Sequence, residues 1–515
     1  MNYSLARLSF SIALPFIGLF SASLPCSAAE STLPPDLDSY IESGMSEWQL
    51  PGLSIAVVKD GESILVKGYG VREAGGSEPV DENTVFAIGS ASKAFTATAL
   101  GMLVDQDEVQ WNTKIHEIDP DFKLSDPWVT QEIRLSDLPS NHSGLSAVSE
   151  ALWYGSGLTK EEIIDRLQYV PISEGFRYQF QYRNTMFLLA GEMIPHLVDQ
   201  TWAEFLEAEI FAPLGMDRSL PTNVGVEDMD NVASPHLLGY DNQLIPVPYR
   251  DMTNIGPAGS IMSTASNLVP WLKLHLGQSE VPLLTEGTLR YLHTSQTPMW
   301  SISPDGAVRN SPFQLHSYCL GWTTESYKGL RLVWHNGNID GMSAWVGLVP
   351  ELGLGVAMLT NLDDCEFRTA VFYQIVDHVA GIDGDDQESQ PLTRYENKIT
   401  QRDEAEEEWQ QLAASDIQPA LDLANYAGQY HSDLLGTATI EVTGNRLTFV
   451  RTPEQTLELV PTAAGSNDFI GRHTNPNEDL RTGKVDVTFA VEDGKVLTLV
   501  DHSEGAPIPF TKVEK

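Results

Sequence analysis

Two strand-rich segments, residues 53–71 and 344–359, constrain the fold of this chain more than any other feature. The first contains two β-rich runs on either side of Asp60-Gly61, a dipeptide typical of tight hairpin turns. The second is a predicted strand pair, 344–349 and 355–359. Three stretches between the two segments have helical patterns: 93–104, 186–198 and 265–276. This order predicts one α/β domain, over residues 36–380, whose sheet is closed by both of its ends.

The sequence changes character twice after residue 380. The segment 381–422 carries acidic runs at 383–386 and 404–408, which predict an acidic linker and a solvated helix. From residue 423 to 515, short β-rich runs recur between turn signals at Thr443-Gly-Asn, Thr482-Gly and Asp493-Gly. This tail is therefore predicted to be a small antiparallel β domain.

The N-terminus has the pattern of a secretory signal peptide, residues 1–29. One basic residue, Arg7, precedes an apolar run over residues 8–20, and small residues then lead to Ser27-Ala28-Ala29. The apolar run is too short to span a bilayer comfortably, and Pro25 before Cys26 fits a lipidation signal poorly. We therefore expect a cleaved leader and a secreted or periplasmic protein, without stable membrane insertion and without a lipid at Cys26.

Acidic residues outnumber basic residues by 71 to 31, and the formal net charge is −40. Such a surface repels phosphate backbones and anionic lipids, so no nucleic acid is expected as a partner. Hydrophobic residues make up 42% of the chain, which is enough for a packed core and excludes a disordered polyacid. The cysteines of the mature chain, Cys319 and Cys365, can form one disulfide or remain two buried thiols.

Catalytic chemistry is first indicated at Ser90-Ala-Ser-Lys93, which opens the first predicted helix. Residues three apart lie on one helix face, so the Ser90 hydroxyl and the Lys93 ammonium can meet. A serine hydroxyl is a weak nucleophile until a base takes its proton, and a buried lysine has a lowered pKa that suits this role. An N-capping serine beside an exposed lysine would give the same pattern, so a second element is needed.

Tyr182-Arg-Asn184 supplies such an element at the start of the second predicted helix. Tyr182 can relay a proton to a leaving group, and Asn184 can hold a substrate amide. The same Tyr-x-Asn pattern occurs at Tyr240, in a predicted loop, and at Tyr395, in the acidic linker. Position therefore favours Tyr182.

The third element is His335-Asn-Gly337-Asn338, which precedes the predicted strand 344–349 and is expected to line a sheet edge. Glycine at 337 lets a carbonyl substrate approach the backbone, and the N–H groups of Asn338 and Ser90 can form an oxyanion hole. His-x-Gly also occurs at His142 and His275, which are interpreted as structural. None of the three motifs contains a carboxylate.

In their order and spacing, the three motifs resemble those of the class C β-lactamase and penicillin-binding-protein-like serine hydrolases. The resemblance covers residues 36–380 and includes other stretches, which are 134–145, 211–216, 257–264 and 318–322. It implies a β-lactamase/transpeptidase-like α/β fold, with an antiparallel sheet flanked by helices and a helical subdomain. The tail from residue 423 is similar to the lipocalin-like β domain that follows this catalytic domain in some members.

The resemblance also implies an acyl-enzyme mechanism. Ser90 would attack a carbonyl, Lys93 and Tyr182 would share the general-base and general-acid work, and water would release the acyl group. Which of the two takes the first proton stays open. No metal or cofactor is expected, because His116-Glu117 is followed by Pro120 where a zinc motif needs a second histidine.

One departure bears on the substrate. Most β-lactamases and D,D-peptidases of this family carry Lys-Thr-Gly where this chain has His335-Asn-Gly, and that lysine pairs with a substrate carboxylate. A histidine is a weaker, pH-dependent partner. The His-x-Gly motif of this chain resembles that of D-aminopeptidase-like peptidases and some esterases. We therefore expect hydrolysis of small peptides or amides first, a carboxylesterase second, and a β-lactamase or D,D-carboxypeptidase third. A non-catalytic receptor module and the oligomeric state stay open.

Overall fold

The computed structural model describes residues 33–173, 175–299, 315–382, 389–503 and 506–514. The predicted leader, residues 1–29, lies outside these ranges. Within the described ranges, no helix combines the length and the apolar character needed to cross a membrane.

Twelve strands belong to the described residues of the first part of the chain. They are β1 (Gly52–Lys59), β2 (Glu62–Gly70), β3 (Phe86–Ala87), β4 (His236–Leu238), β5 (Leu244–Pro246), β6 (Met262–Ser263), β7 (Thr297–Pro298), β8 (His316–Tyr318), β9 (Thr323–Tyr327), β10 (Leu330–Ile339), β11 (Met342–Val349) and β12 (Leu354–Thr360). Eight of them form one antiparallel sheet in the order β2-β1-β12-β11-β10-β9-β8-β7. The predicted hairpin at Asp60-Gly61 joins β1 to β2, and β1 pairs with β12, so both ends of the domain close the sheet as expected.

Thirteen α-helices accompany this sheet in the described residues. They are α1 (Leu37–Glu47), α2 (Ser92–Asp105), α3 (Ile115–Ile118), α4 (Pro127–Glu132), α5 (Lys160–Arg166), α6 (Asn184–Glu192), α7 (Ile194–Leu197), α8 (Trp202–Phe205), α9 (Ala212–Leu214), α10 (Gly256–Gly259), α11 (Ala265–His275), α12 (Glu286–Leu292) and α13 (Phe367–Ala380). The three predicted helices correspond to α2, to α6 followed by α7, and to α11. The second is divided at Met193, two residues before Pro195, which cannot donate a helical hydrogen bond.

The central strands are buried on both faces, and their side chains alternate between two apolar layers. On β12, Val356 and Met358 pack with α1 and α13, whereas Ala357 and Leu359 face the layer that contains α2, α6 and α11. Nearly the whole of α2 is therefore buried. The helix that follows Ser90 and carries Lys93 is thus packed on all sides.

The C-terminal part is a closed eight-stranded antiparallel barrel. Its strands are β13 (Gly428–Ser432), β14 (Gly436–Thr443), β15 (Arg446–Val450), β16 (Thr456–Pro461), β17 (Asp468–His473), β18 (Val485–Glu492), β19 (Lys495–Asp501) and β20 (Ile508–Lys512). Helix α15 (Leu423–Tyr426) precedes β13, and α16 (Pro476–Thr482) lies between β17 and β18. Large buried side chains such as Tyr426, Tyr430, Phe469 and Phe489 fill the interior with edge-to-face ring contacts. The predicted β domain is confirmed, with a packed core.

The acidic segment contains a helix that is solvated along most of its length, as predicted, but a few of its side chains are buried against the rest of the molecule. This helix, α14 (Ser389–Ala414), packs along both parts of the chain. Tyr395 lies 4.9 Å from the ring of Trp48 in the first part, and Trp409 is buried beneath arginines of the barrel. Glu406, only 5% exposed, pairs with Lys484 of the barrel. Charge composition did not indicate these contacts, because the basic partner of Glu406 lies far away in the sequence.

Cys319 and Cys365 are both buried, and both are free thiols. Burial raises the pKa of each thiol to about 12, so neither is a thiolate near neutral pH. Of the two alternatives, the structure has two unpaired buried cysteines.

Candidate active site

Ser90 lies in a short 3₁₀ turn, Gly89–Ala91, that runs directly into α2. This turn and the first turn of α2 place Lys93 on the same face as Ser90, and Lys93 Nζ lies 2.9 Å from Ser90 Oγ. Two other oxygens accept hydrogen bonds from the same ammonium, the side chain of Asn184 at 2.7 Å and the backbone carbonyl of Ala258 at 2.7 Å. Lysine and serine are therefore paired as the spacing predicted, and the alternative of an exposed lysine is excluded.

Lys93 is completely buried, and its three hydrogen-bond acceptors are neutral oxygens. Burial disfavours the charged ammonium and lowers the pKa of Lys93 to about 7, while the charge of Glu150 opposes this shift. The neutral amine has two N–H groups and one lone pair. It can keep its bonds to Asn184 and Ala258 while the lone pair faces the Ser90 hydroxyl.

Tyr182 lies beside the nucleophile, and its hydroxyl is a hydrogen-bond partner of Ser90. Its ring lies 4.8 Å from Lys93 Nζ. Burial raises the pKa of the Tyr182 hydroxyl well above its ordinary value, and the hydrogen bond with Ser90 only partly offsets this. Tyr182 is therefore a proton donor in the resting protein, since its phenolate form is strongly disfavoured.

A carboxylate missing from the sequence interpretation stands next to this pair. Glu150 accepts hydrogen bonds from the backbone N–H of Asn184 at 3.0 Å and from its side-chain Nδ2 at 2.7 Å. The indole of Trp153 donates to the same carboxylate at 2.9 Å. Glu150 thus orients the Asn184 amide so that its oxygen faces Lys93. The amide predicted to hold substrate is engaged on both of its ends.

His335 is 2% exposed on β10, and its ring centre lies 6.2 Å from that of Tyr182. Its Nδ1 lies 2.6 Å from the Asn336 carbonyl, which only accepts, so Nδ1 carries the proton. Its Nε2, 3.0 Å from the Tyr318 hydroxyl, then accepts from that group. Burial and the nearby Lys93 lower the pKa of His335 to about 3, so this ring is neutral near pH 7.

The closest approach between the nucleophile and β10 is made by two glycines. β9 pairs with β10 only as far as Trp334, and the following residues of β10 lie beside the Gly89–Ala91 turn, which fits the expected edge position. A Cβ on Gly337 would stand 1.8 Å from the Ile88 carbonyl and 3.0 Å from the Ser90 nitrogen. Gly89 has φ +51° and would place a Cβ 2.9 Å from the nitrogen of Asn338. Glycine at both positions brings the two backbone segments together.

The side chain of Asn338 points away from the nucleophile. Its Oδ1 accepts a hydrogen bond from the buried guanidinium of Arg368 at 2.9 Å, and its Nδ2 donates to Asp364 at 3.2 Å. Lys398 of α14 pairs with the same aspartate. The position of Asn338 is thus fixed from behind, by residues that no motif indicated.

Together these groups form a nucleophile with a buried base, a protonated tyrosine and two glycine-lined backbone segments. That set suits attack on a carbonyl carbon, with proton transfer on either side of the reacting bond. In the described part of the chain, no cluster of three or more histidine, cysteine or acidic side chains has a metal-binding arrangement.

Comparison with known proteins agrees with this geometry. A family model described as "Beta-lactamase" matches residues 37–380, and one described as "Domain of unknown function (DUF3471)" matches residues 412–512. An octameric penicillin-binding protein homologue from Pyrococcus abyssi covers 92% of the chain and 99% of its own, with a TM-score of 0.59 and 22% identity. A class C beta-lactamase covers 68% of the chain and 96% of its own, with a TM-score of 0.55 and 19% identity.

Relatives of similar sequence include hydrolases. An unguisins hydrolase of Aspergillus campestris is 29% identical over 66% of this chain, and the match spans 64% of that relative's own length. A second, from Aspergillus violaceofuscus, is 27% identical over 82% of this chain and 79% of its own. Penicillin-binding protein 4 of Amycolatopsis lactamdurans is 27% identical over 65% of this chain and 88% of its own. Because the family model spans residues 37–380 of 515, the chain belongs to the beta-lactamase family of serine hydrolases.

Proposed function

We propose that this protein is an exported serine hydrolase that cleaves amide bonds of small peptides through an acyl-enzyme on Ser90. The observation that carries the proposal is the contact of 2.9 Å between Ser90 and a completely buried lysine whose pKa lies at about 7. A base with a pKa near the working pH combines an available lone pair with a useful driving force for proton transfer. Two further features, the tyrosine and the glycine-lined backbone, complete the mechanism.

In the first step, neutral Lys93 takes the proton of Ser90, and Oγ forms a bond to the carbonyl carbon of the substrate. Tyr182 is the less suitable base because burial raises the pKa of its hydroxyl. The electron pair of the broken carbonyl π bond moves to oxygen. The backbone N–H groups of Ser90 and Asn338 are the proposed donors to that oxyanion.

In the second step, the tetrahedral intermediate collapses and the carbon–nitrogen bond breaks. Tyr182 gives its proton to the leaving nitrogen, and the proton gained by Lys93 restores the tyrosine. Water then attacks the acyl-enzyme ester and transfers a proton to Lys93. The bond between the acyl carbon and Ser90 Oγ breaks, Lys93 returns that proton to Oγ, and the carboxylic acid product leaves. The end state regenerates the Ser90 hydroxyl, so the cycle balances in protons.

The neutral state of His335 favours a substrate that has no carboxylate at this position. Its ring is neutral near pH 7, and both ring nitrogens already bond to protein atoms, Asn336 and Tyr318. A positive charge for a substrate carboxylate is therefore not supplied at this position. Similarity to two unguisins hydrolases favours hydrolysis over pure binding.

A panel of substrates tests the proposal with Ser90→Ala. It compares p-nitrophenyl esters, L- and D-amino-acid anilides, short peptides and a chromogenic cephalosporin. We expect the wild type to hydrolyse esters and peptide amides, and Ser90→Ala to lose activity by several orders of magnitude. Ser326→Ala, at the distant end of β9, is the matched control and should retain activity. Turnover by Ser90→Ala, or clear preference for the cephalosporin, would contradict the proposal.

Reaction with a fluorophosphonate probe separates an enzyme from a non-catalytic receptor module. Labelling of Ser90, located by mass spectrometry, is expected in the folded wild type. Export is proposed on the leader pattern alone, and N-terminal sequencing of the mature protein tests it: a chain beginning near Glu30 is expected. Retention of residues 1–29 would contradict export by cleavage.

A further inference from the structure

A cleft of about 590 Å³ lies between the catalytic domain and the barrel. Its catalytic side is lined by residues within 153–161 and 247–254 and by Asp340. Its barrel side is lined by Glu454 and by residues within 475–481. Its volume is within the range of pockets that bind molecules of drug size. Pockets at domain junctions are common ligand sites, so this cleft is a candidate ligand site.

Three segments of the wall lead directly to catalytic groups. Trp153 donates its indole N–H to Glu150, which holds the Asn184 side chain against Lys93. Asn254 donates to the Trp153 carbonyl at 3.0 Å, and the chain after it continues into α10, whose Ala258 carbonyl accepts from Lys93. Hydrogen bonds and the chain itself therefore connect the wall of the cleft to Lys93, the proposed base.

The third segment is the turn between β10 and β11. Asp340, a residue of the cleft wall, lies two positions after Asn338, the proposed oxyanion donor. A substrate carbonyl at the Asn338 N–H is therefore within roughly 7 Å of backbone, two residues of chain, from a residue of the cleft wall.

The barrel wall is held in place by bonds across the junction. The guanidinium of Arg250 bonds to Asp340 of its own domain and to Glu454 and Glu478 of the barrel. Arg481 of the barrel reaches Asp340 at 2.6 Å. Such paired, largely buried charges fix the two walls relative to each other, so the cleft is preformed.

The unbalanced charge of the cleft is negative. Arg250 and Arg481 form ion pairs with the carboxylates just described. Glu161 is 71% exposed, and its nearest cation, Lys160, is 4.0 Å away and bonds more closely to Glu192 at 2.8 Å. The partly exposed ring of Trp153 forms an apolar part of the same wall, whereas the buried ring of Tyr154 is covered by the guanidinium groups of Arg250 and Arg481. An aromatic ring beside an acidic rim favours uncharged or cationic groups and disfavours anions.

We propose that this cleft is a substrate subsite, with one wall supplied by the barrel, that binds the uncharged or basic portion of a peptide beyond the scissile bond. The inference rests on the proposed function, because it names the substrate of the same site. It assigns the C-terminal domain a part in substrate selection. Acidic peptides of equal length are the expected poor substrates.

The test obstructs the cleft from the barrel side with Asn477→Trp, and Asn445→Trp, on an exposed barrel turn outside the cleft, is its matched control. The readout is kcat/KM for a basic hexapeptide anilide divided by kcat/KM for p-nitrophenyl acetate. We expect Asn477→Trp to lower this ratio by about tenfold or more, the effect of altered pocket volume on specificity, and Asn445→Trp to leave it unchanged. Equal effects on both substrates, or none on the longer one, would overturn the inference.

A binding measurement separates failure of the subsite from failure of the proposed chemistry. In the Ser90→Ala protein, fluorescence anisotropy with a labelled basic hexapeptide should show binding that Asn477→Trp weakens and Asn445→Trp does not. Glu161→Gln should reduce the preference for the basic over an acidic hexapeptide by about threefold, the scale of one partly screened charge. Absence of binding by Ser90→Ala overturns the subsite, whereas binding without turnover by the wild type overturns the chemistry alone.

Discussion

A buried cation in the catalytic pocket and one at the domain junction show opposite consequences of burial. In the catalytic pocket, Lys93 donates only to neutral oxygens, and its pKa is lowered to about 7. At the domain junction, Arg250 is only 12% exposed but contacts Asp340, Glu454 and Glu478, and their charges raise its pKa. A buried cation without a contacting counter-charge has a lowered pKa and can act as a base. A cation buried among carboxylates stays charged and holds the two domains together.

The largest expected effect comes from changing the cation that serves as base. Lys93→Arg keeps a positive charge but supplies no lone pair, because a guanidinium stays protonated. We expect kcat/KM for p-nitrophenyl esters to fall by about 10²- to 10⁴-fold in both Lys93→Arg and Lys93→Met. Circular dichroism should show the wild-type spectrum for Lys93→Met. If Lys93→Arg keeps activity within tenfold of wild type, the contrast between the two cations is wrong.

At the junction, the expected loss is of stability. Arg250→Met leaves Asp340 and Glu478, 11% and 3% exposed, with less of their compensating charge. We expect the free energy of unfolding to fall by about 3–5 kcal/mol, the cost of removing one partner of a buried ion pair. Arg290→Met, in an exposed pair with Glu286, is the matched control and should cost at most about 1 kcal/mol. Urea unfolding measures both, and equal losses would remove the distinction.

The smallest expected effect comes from Glu150, the carboxylate whose charge acts on Lys93. Since neutral Lys93 is the active form, kcat/KM should rise with pH through about 7. The charge of Glu150 raises the pKa of Lys93, so Glu150→Gln should move this rise to lower pH, by about one unit or less. Glu117→Gln, at an exposed acid, should not move it. A shift to higher pH would contradict the assigned direction.

The parts of the fold and site that local spacing determines were predictable. The Asp60-Gly61 hairpin and the contact of Ser90 with Lys93 depend on residues close in sequence, where turn and helix geometry suffice. Glu150 was not predictable, since it lies in a 3₁₀ segment 34 residues before the Asn184 that it orients. The burial of Trp409 in the acidic helix depends likewise on arginines of the barrel. Side chains joined only by the tertiary fold leave no periodic signal.

The pairing of β1 with β12 has a consequence for the order in which the molecule is made. Leu53 lies opposite Thr360, so the ribosome must deliver about three hundred further residues before the first strand gains this neighbour. Ser90 and Lys93 are synthesised early, but β10 and its oxyanion donor come much later. The nascent chain therefore carries the proposed nucleophile before the strand that completes the proposed site, and we expect no hydrolysis until β10, β11 and β12 have been synthesised.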